Sequence, residues 1–472
     1  MAAQKLGPGA EIDGFTLGPL LHRGGMASLY DVTHPDWPDL PMLMKIPKLH
    51  SGEDPAAIVS FEMELLILPR LTGPHVPRCI ATKGFEATPY IVMERIEGAS
   101  LLPLLEKLPL PFEEVVDIAT RVAHALDDLH RQNVVHLDIK PSNILRRANG
   151  ALVLADFGLA HHAKLPDLMQ EEFRLPYGTA PYMAPEQIMG VRGDPRSDLF
   201  ALGALMYFFT TGTRPFGDPQ RLKGLKRRIW RDPDPPIALR PDCPEWLQEI
   251  ILRCLEVDPA RRYPSAAQLA FDLTHHDQVA LTARAAKRKR DGWAAVLRRR
   301  FNPEAQPVFR LPKAAARAQT QAPIIAVAID LHEAEPGLAD NLLQAAQRIL
   351  PSLPGARLAC LHVQKTSLIG LDDDTDKEGR NRHAQAIAAL KHWASPLGLP
   401  EESVTFHVLE AVGVAGAILD YAAENRVDHI VLAARPPSAR RRWLGSVSAE
   451  VAEKAECSVT VVRPRRAARE EA

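Results

Sequence analysis

At 472 residues, with 46% hydrophobic and 24% charged side chains, the chain has the make-up of ordinary soluble material and is too long for one compact core, so two or three domains are expected. A formal net charge of -1 excludes a nucleic-acid-coating protein and an acidic tail, and leaves electrostatic partners to local patches. The five cysteines, Cys79, Cys243, Cys254, Cys360 and Cys457, are widely spread without metal-ligand spacing, which predicts reduced thiols and a cytoplasmic location. The first ten residues lack an apolar stretch behind a basic segment, so no signal peptide is expected. The most apolar run, residues 199–209, is about half the ~20 residues of a membrane-spanning helix, and a buried helix explains it better.

Taken in order, residues 15–39 read as a strand, a glycine-bearing turn and a strand, and residues 42–46 as a short apolar strand carrying Lys45. Phe61, Glu64, Leu65 and Leu68 share one face of a helix that Pro69 and Gly73-Pro74 terminate. Residues 90–93 form a buried strand running into Glu94-Arg95-Ile96-Glu97-Gly98, after which helices at 114–132, 197–211 and 246–255 dominate. From 283 to about 321 the chain is rich in Ala, Arg and Lys and reads as a solvated basic linker. Trp293, Val296, Leu297 and Phe301 would also suit a short basic amphipathic helix, docked on a surface or on acidic lipid. Beyond Pro323, apolar runs at 324–329, 357–363, 404–409, 429–434 and 459–462 alternate with helical patterns, which implies a parallel sheet covered on both faces.

The chemistry concentrates in His136-Leu137-Asp138-Ile139-Lys140-Pro141-Ser142-Asn143 and Asp156-Phe157-Gly158. Phosphoryl transfer is mostly positioning and charge neutralisation, so it needs donors to phosphate, oxygen ligands for magnesium and one acceptor for the substrate proton. These residue types supply all three. The spacing resembles the catalytic loop and metal-binding turn of eukaryotic-like, bacterial-type serine/threonine protein kinases, and the likeness runs over about residues 15–275. It implies an α+β bilobal protein kinase fold at 12–275, ATP and Mg²⁺ as cofactors, and protein Ser/Thr hydroxyls as substrates.

That resemblance also assigns roles. Asp138 would orient the incoming hydroxyl and Lys140 steady the γ-phosphate, while Asn143 and Asp156 hold metal. Lys45 would hold the α- and β-phosphates with Glu64 as its partner, Glu62 being a rival. Leu21, His22, Arg23, Gly24, Gly25, Met26, Ala27, Ser28 and Leu29 would cover the nucleotide, and Glu94 and Ile96 would line its base. Glu186 should pair with Arg262, and Asp198 should brace the catalytic loop. Lys140 with Thr179 favours Ser/Thr over Tyr substrates.

Two departures stand out. Only Gly24 of the usual three loop glycines is in register, with His22 and Ala27 replacing the outer two, which predicts a stiffer loop with restricted φ. Leu137 stands where most relatives have an arginine that anchors an activation-segment phosphate, and no Ser or Thr occurs between Gly158 and Gly178. Control from outside that segment is therefore expected. A pseudokinase scaffold that binds nucleotide without useful turnover is the alternative, and a third reading makes the C-terminal module the working part.

Residues 322–465, behind a linker at 276–321, resemble a universal stress protein domain, an α/β fold with a five-stranded parallel sheet. Asp330 would face adenine after the first strand, and Leu361-His362-Val363 belong to the second. Val431-Leu432-Ala433-Ala434-Arg435, Leu444-Gly445-Ser446-Val447-Ser448 and Cys457-Ser458-Val459-Thr460-Val461-Val462-Arg463 carry the likeness. Ala433 and Pro436 replace the glycines of the phosphate turn, and proline offers no amide. Nucleotide binding and a sensory or dimerising role stay open, with a homodimer through this domain among the expected partners. The arginines at 440–442 read as a solvated loop.

Overall fold

The computed structural model describes residues 7–49, 55–173, 176–301, 309, 323–331, 337–353, 355–366, 381–434 and 446–463. The chain opens with an antiparallel sheet of β1 (Glu11–Ile12), β2 (Phe15–Arg23), β3 (Ala27–Thr33), β4 (Met42–Pro47), β5 (Cys79–Lys83) and β6 (Tyr90–Glu94), in the order β1-β2-β3-β4-β6-β5. Strand alternation sorts β4: Met42, Met44 and Ile46 are buried with Phe15, Leu17 and Tyr30 on the outer face. Leu43 packs instead with the core around α1 (Pro55–Ile67), and Lys45 belongs to that second set.

The sequence pattern predicts one apolar face for α1, but the helix is buried nearly all round. Ala56, Ile58, Val59, Phe61, Met63 and Ile67 are all enclosed, and so are Glu62 and Glu64. A helix takes that pattern when both sides are covered. Here the sheet covers one side and the C-terminal domain the other.

Below the sheet lies a helical lobe around α2 (Phe112–Arg131) and the buried helix Arg196–Thr211, which Gly212 ends in a left-handed cap at φ 73°. Glu245–Cys254 and Ala266–Thr274 pack beside them. Two small sheets shape the cleft: β7 (Gly98–Ser100) with β9 (Ile144–Arg147) and β10 (Leu152–Leu154), and β8 (Val134–Val135) with β11 (His161–His162). The short α3 (Leu168–Glu172) follows, its first turn capped by the Asp167 carboxylate.

The start of the expected linker is mostly exposed but is anchored to the helical lobe. Gln248 Nε2 donates to the carbonyls of Arg284, Ala285 and Lys287, and Thr282 and Arg284 bond to Glu249. Lys287 and Arg299 each lie 2.9 Å from Asp232. Gln248 and Glu249 are buried and require partners, which the basic segment supplies. The helix Trp293–Phe301 does form, with Trp293 and Phe301 exposed. Most of residues 302–322 lie outside the described residues.

The C-terminal domain is a five-stranded, all-parallel sheet of β12 (Ile324–Ala328), β13 (Arg357–Lys365), β14 (Val404–Ala411), β15 (His429–Ala433) and β16 (Ser458–Val462), in the order β14-β13-β12-β15-β16. Ile325, Val327, Leu358 and Cys360 face the helices Leu338–Ile349 and Arg382–Ala394. Ala326, Ala359 and Leu361 face Val414–Glu424 and Val451 of Ser446–Lys454. Both faces are covered, as continuous apolar strands require. The edge strand β14 packs against α3. Arg435, Pro436, the arginines at 440–442 and Gly445, on which the phosphate-turn reading rests, lie outside the described residues.

Candidate active site

Lys45 is opposite Leu29 on β3 and Ile91 on β6, which fixes where its side chain leaves the sheet. Its Nζ lies 2.5 Å from Glu64 Oε2 and 2.9 Å from Asp156 Oδ1. Burial opposes the lysine's charge, but Asp156 and Glu64 outweigh it and raise its pKa. Lys45 in turn holds the half-exposed Asp156 carboxyl down at about 2. Burial pushes the Glu64 carboxyl up, against the pull of Lys45. Glu62 turns away from this cluster and pairs with Lys391 at 3.1 Å, so geometry decides between the two rivals.

The acids of the lower lobe sit on strained backbone. Leu137 and Asp156 have φ of 64° and 69°, a left-handed conformation that costs about 1–3 kcal/mol in a residue with a side chain. Neighbouring contacts hold Leu137 in it. The wholly buried Asp198 accepts the amides of His136 and Leu137 at 2.8 Å each, and the Gln187 amide donates to the Leu137 carbonyl at 2.9 Å. Asp138 is thereby presented with both oxygens engaged. Oδ1 accepts the Thr179 amide at 3.0 Å and its hydroxyl at 2.7 Å, while Oδ2 meets Lys140 Nζ at 2.6 Å and Asn143 Nδ2 at 3.1 Å.

The turn bearing Asp156 is joined to both sides. The Asn143 carbonyl accepts the Ala155 amide at 2.9 Å, and the Phe157 ring packs 5.1 Å from that of His136. A Cβ on Gly158 would fall 2.1 Å from Ser60 Oγ of α1, so only glycine allows this approach. Downstream, Glu186 and Arg262 form a fully buried two-point pair at 2.6 and 2.7 Å.

The family description "Protein kinase domain" matches residues 15–276, more than half of the chain. The chain belongs to the protein kinase family. Its kinase region is 32% identical over 214 residues to a probable serine/threonine-protein kinase of Clostridium perfringens, covering 45% of this chain and 31% of that protein. Against a probable serine/threonine-protein kinase of Streptomyces coelicolor it is 31% identical over 266 residues, 55% of this chain and 39% of that one. The serine/threonine-protein kinase PknB of Mycobacterium leprae is 30% identical over 270 residues, 55% and 42% of the two chains. The match thus spans less than half the length of these relatives. A second description, "Universal stress protein family", matches residues 322–463.

Within this kinase the turn at residues 21–29 is built into the sheet. His22 pairs with Leu29 and Ala27 with Pro47 as ladder positions, and none of residues 21–29 has positive φ. Side chains at the two ends therefore cost no backbone strain. Gly24 donates its amide to the Ala27 carbonyl at 3.0 Å, and Leu21, His22, Arg23, Gly25 and Met26 are exposed while Ser28 is half-buried. The Glu94 carboxylate is bound by Arg147 Nη2 at 3.0 Å, and Ile96 is buried beside it. Lys45, Glu64 and Asp156 form one connected cluster; Asp138, Lys140 and Asn143 form another.

Sequence reasoning passed over several supports. Gln187 bridges the Leu137 and Tyr177 carbonyls, and the buried Arg228 donates to the Ala180 and Met183 carbonyls. Asp167 is held by Arg192 at 2.7 Å and His161 at 3.1 Å, and these charges keep its carboxyl low despite burial.

Proposed function

We propose that this kinase transfers the γ-phosphoryl group of ATP to Ser/Thr hydroxyls of proteins. The carrying observation is the meeting of Lys45 from the strand-rich lobe with Asp156 from the helical lobe, at 2.9 Å, beside the Asp138–Thr179 contact. Lys45 is kept protonated for the α- and β-phosphates, the turn 21–29 offers backbone amides above them, and Lys140 is placed for the γ-phosphate. Asp138 orients the acceptor hydroxyl and takes its proton as the new P–O bond forms and the bond between the γ-phosphorus and the ADP oxygen breaks, releasing ADP. The Glu94 side chain is committed to Arg147, so Glu94 and Ile96 offer the base their backbone.

Asn143 and Asp156 supply the hard oxygen donors that suit Mg²⁺, and the Asn143–Ala155 bond holds their two loops together. Such an ion, when bound, neutralises charge that develops on the phosphoryl oxygens. The ion pairs argue against the scaffold alternative, because a site that only bound nucleotide would not need Asp138 braced by Thr179 and Asn143. Among the described residues no helix is long and apolar enough to cross a membrane. A place in the cytoplasm is the reading that the five free thiols support. A stress-linked role rests on the C-terminal domain alone. A homodimer would use the β16 edge, since the kinase covers β14.

The test is label transfer from γ-labelled ATP with Mg²⁺ by wild type, Asp138→Asn and Lys45→Met. Loss of about 100-fold or more is expected in both variants. Equal incorporation by all three would end this reading.

A further inference from the structure

Three basic side chains of the C-terminal domain reach α1, which carries Glu64, and α3, which packs against α1. On α1, Glu62 Oε1 lies 3.1 Å from Lys391 Nζ, which also sits 3.8 Å from Glu86 and 5.8–5.9 Å from the rings of Phe85 and Phe406. On α3, Glu171 Oε1 accepts from Arg357 Nη1 at 2.6 Å. His407 sets Nδ1 2.9 Å from Glu172 Oε1 and Nε2 3.0 Å from Glu171 Oε2. The Tyr421 hydroxyl donates to Glu171 Oε2 at 3.2 Å, and Asn425 Nδ2 to the Glu171 carbonyl at 3.4 Å. Glu171, Glu172 and His407 are all buried by this contact.

The charges are complementary and fixed by the sequence. No Ser or Thr lies between Gly158 and Gly178, so the anions that Arg357 and His407 receive are encoded as glutamates. The other end of α3 is already tied to the helical lobe through Asp167 and Arg192. Between them α3 is clamped at both ends. On α1, Glu62 and Glu64 point to opposite sides, one to Lys391 and one to Lys45, and Ser60 backs onto Gly158 beside Asp156. A shift of α1 would therefore move Glu64 directly, and Asp156 through the Ser60–Gly158 contact, relative to Lys45.

We propose that Lys391, Arg357 and His407 are positioning residues for phosphoryl transfer, holding α1 and α3 so that Glu64 and Asp156 meet Lys45. The proposal rests on the phosphotransfer reading above. It makes the C-terminal domain an activating brace, because the catalytic cluster is assembled in the structure in which these contacts are made. Removing Lys391 leaves Glu62 buried without its ion-pair partner, and outward movement of α1 relieves that cost. That movement withdraws Glu64.

The experiment uses the full chain, with γ-labelled ATP and myelin basic protein as acceptor. Lys391→Glu and Glu62→Lys are each expected to lower kcat about tenfold or more, with KM for ATP within about twofold. The double exchange restores about half the wild-type rate or better. Arg357→Met and His407→Gln lower kcat in the same way. A fluorescent ATP analogue should bind with wild-type stoichiometry in each variant, which a loss of folded protein would not allow. Lys391→Gln keeps the stem and carries the test if the charge reversal fails to fold. Single variants that keep wild-type kcat, or exceed it, overturn the brace and leave the kinase reading intact. Wild type that transfers no label overturns the kinase reading first and the brace with it.

Discussion

Glu62 and Glu64, two positions apart on α1, serve opposite sides of the same helix: Glu64 meets Lys45 and Glu62 meets Lys391. At about 100° per residue the two side chains diverge by roughly 200°, so one helix contacts both Lys45 and the C-terminal domain. The two acids should therefore separate by function. Glu64→Gln removes the charge that helps keep Lys45 protonated and in place, and phosphotransfer is expected to fall about 10–100-fold. Initial rates across an ATP titration measure this.

The domain contact should be pH-sensitive through His407. Burial disfavours its charged form, but Glu171 and Glu172 reverse that and raise its pKa from 6.5 to about 9. A raised folded-state pKa stabilises fully below the unfolded value and is lost as pH rises through the folded one. The stability contribution should thus decline between about pH 6.5 and 9. Thermal midpoints of the full chain across that window should fall, and the His407→Gln chain should show a flatter slope. At the acid end, Glu171 acts in the other direction. Arg357 and His407 lower its pKa against the effect of burial, so its contribution is lost as pH drops below the ordinary carboxylate range.

Breaking the Glu186–Arg262 pair should be costly. Both side chains are buried, so Arg262→Met leaves an unpaired carboxylate and is expected to destabilise by about 3–5 kcal/mol. Replacing both residues by apolar ones should recover much of that loss. Urea unfolding of the two variants gives the comparison.

Gly158→Ala should act on catalysis through α1. The added methyl would meet Ser60 Oγ at 2.1 Å and the Ser60 carbonyl at 3.0 Å. A drop in kcat of about tenfold or more is expected. Adding Ser60→Gly relieves only the hydroxyl clash, so rescue should be partial, as single-turnover rates would show.

The basic segment after residue 280 should stabilise the helical lobe. A kinase fragment ending at residue 301 is expected to unfold later in urea than one ending at 280, by about 1–3 kcal/mol. The shorter fragment leaves the buried Gln248 and Glu249 without their partners.

Much of this was written locally in the chain. The short apolar strand carrying Lys45 and the covered parallel sheet after Pro323 were legible in local patterning, which depends on near neighbours, whereas Asp138, Asn143 and Asp156 were reached through likeness to a kinase catalytic loop. The Glu64 assignment and the Glu186–Arg262 pair were reached through family resemblance, and geometry then gave their distances. That His22 and Ala27 sit in ladder positions was not legible locally, because strand pairing is set by the facing strands. The anchoring of the basic stretch near 287 was not legible because its acid partners, Asp232 and Glu249, lie far away in sequence.

What the amino-acid order by itself determined is therefore the set of elements and the reactive groups they carry. What only the tertiary structure decided is which surfaces meet: that α1 is covered on its second side, and that Glu171 and Glu172 face Arg357 and His407 across more than 180 residues of chain. Pairings of that kind depend on how two finished domains pack, and neither periodicity nor spacing within either one records it.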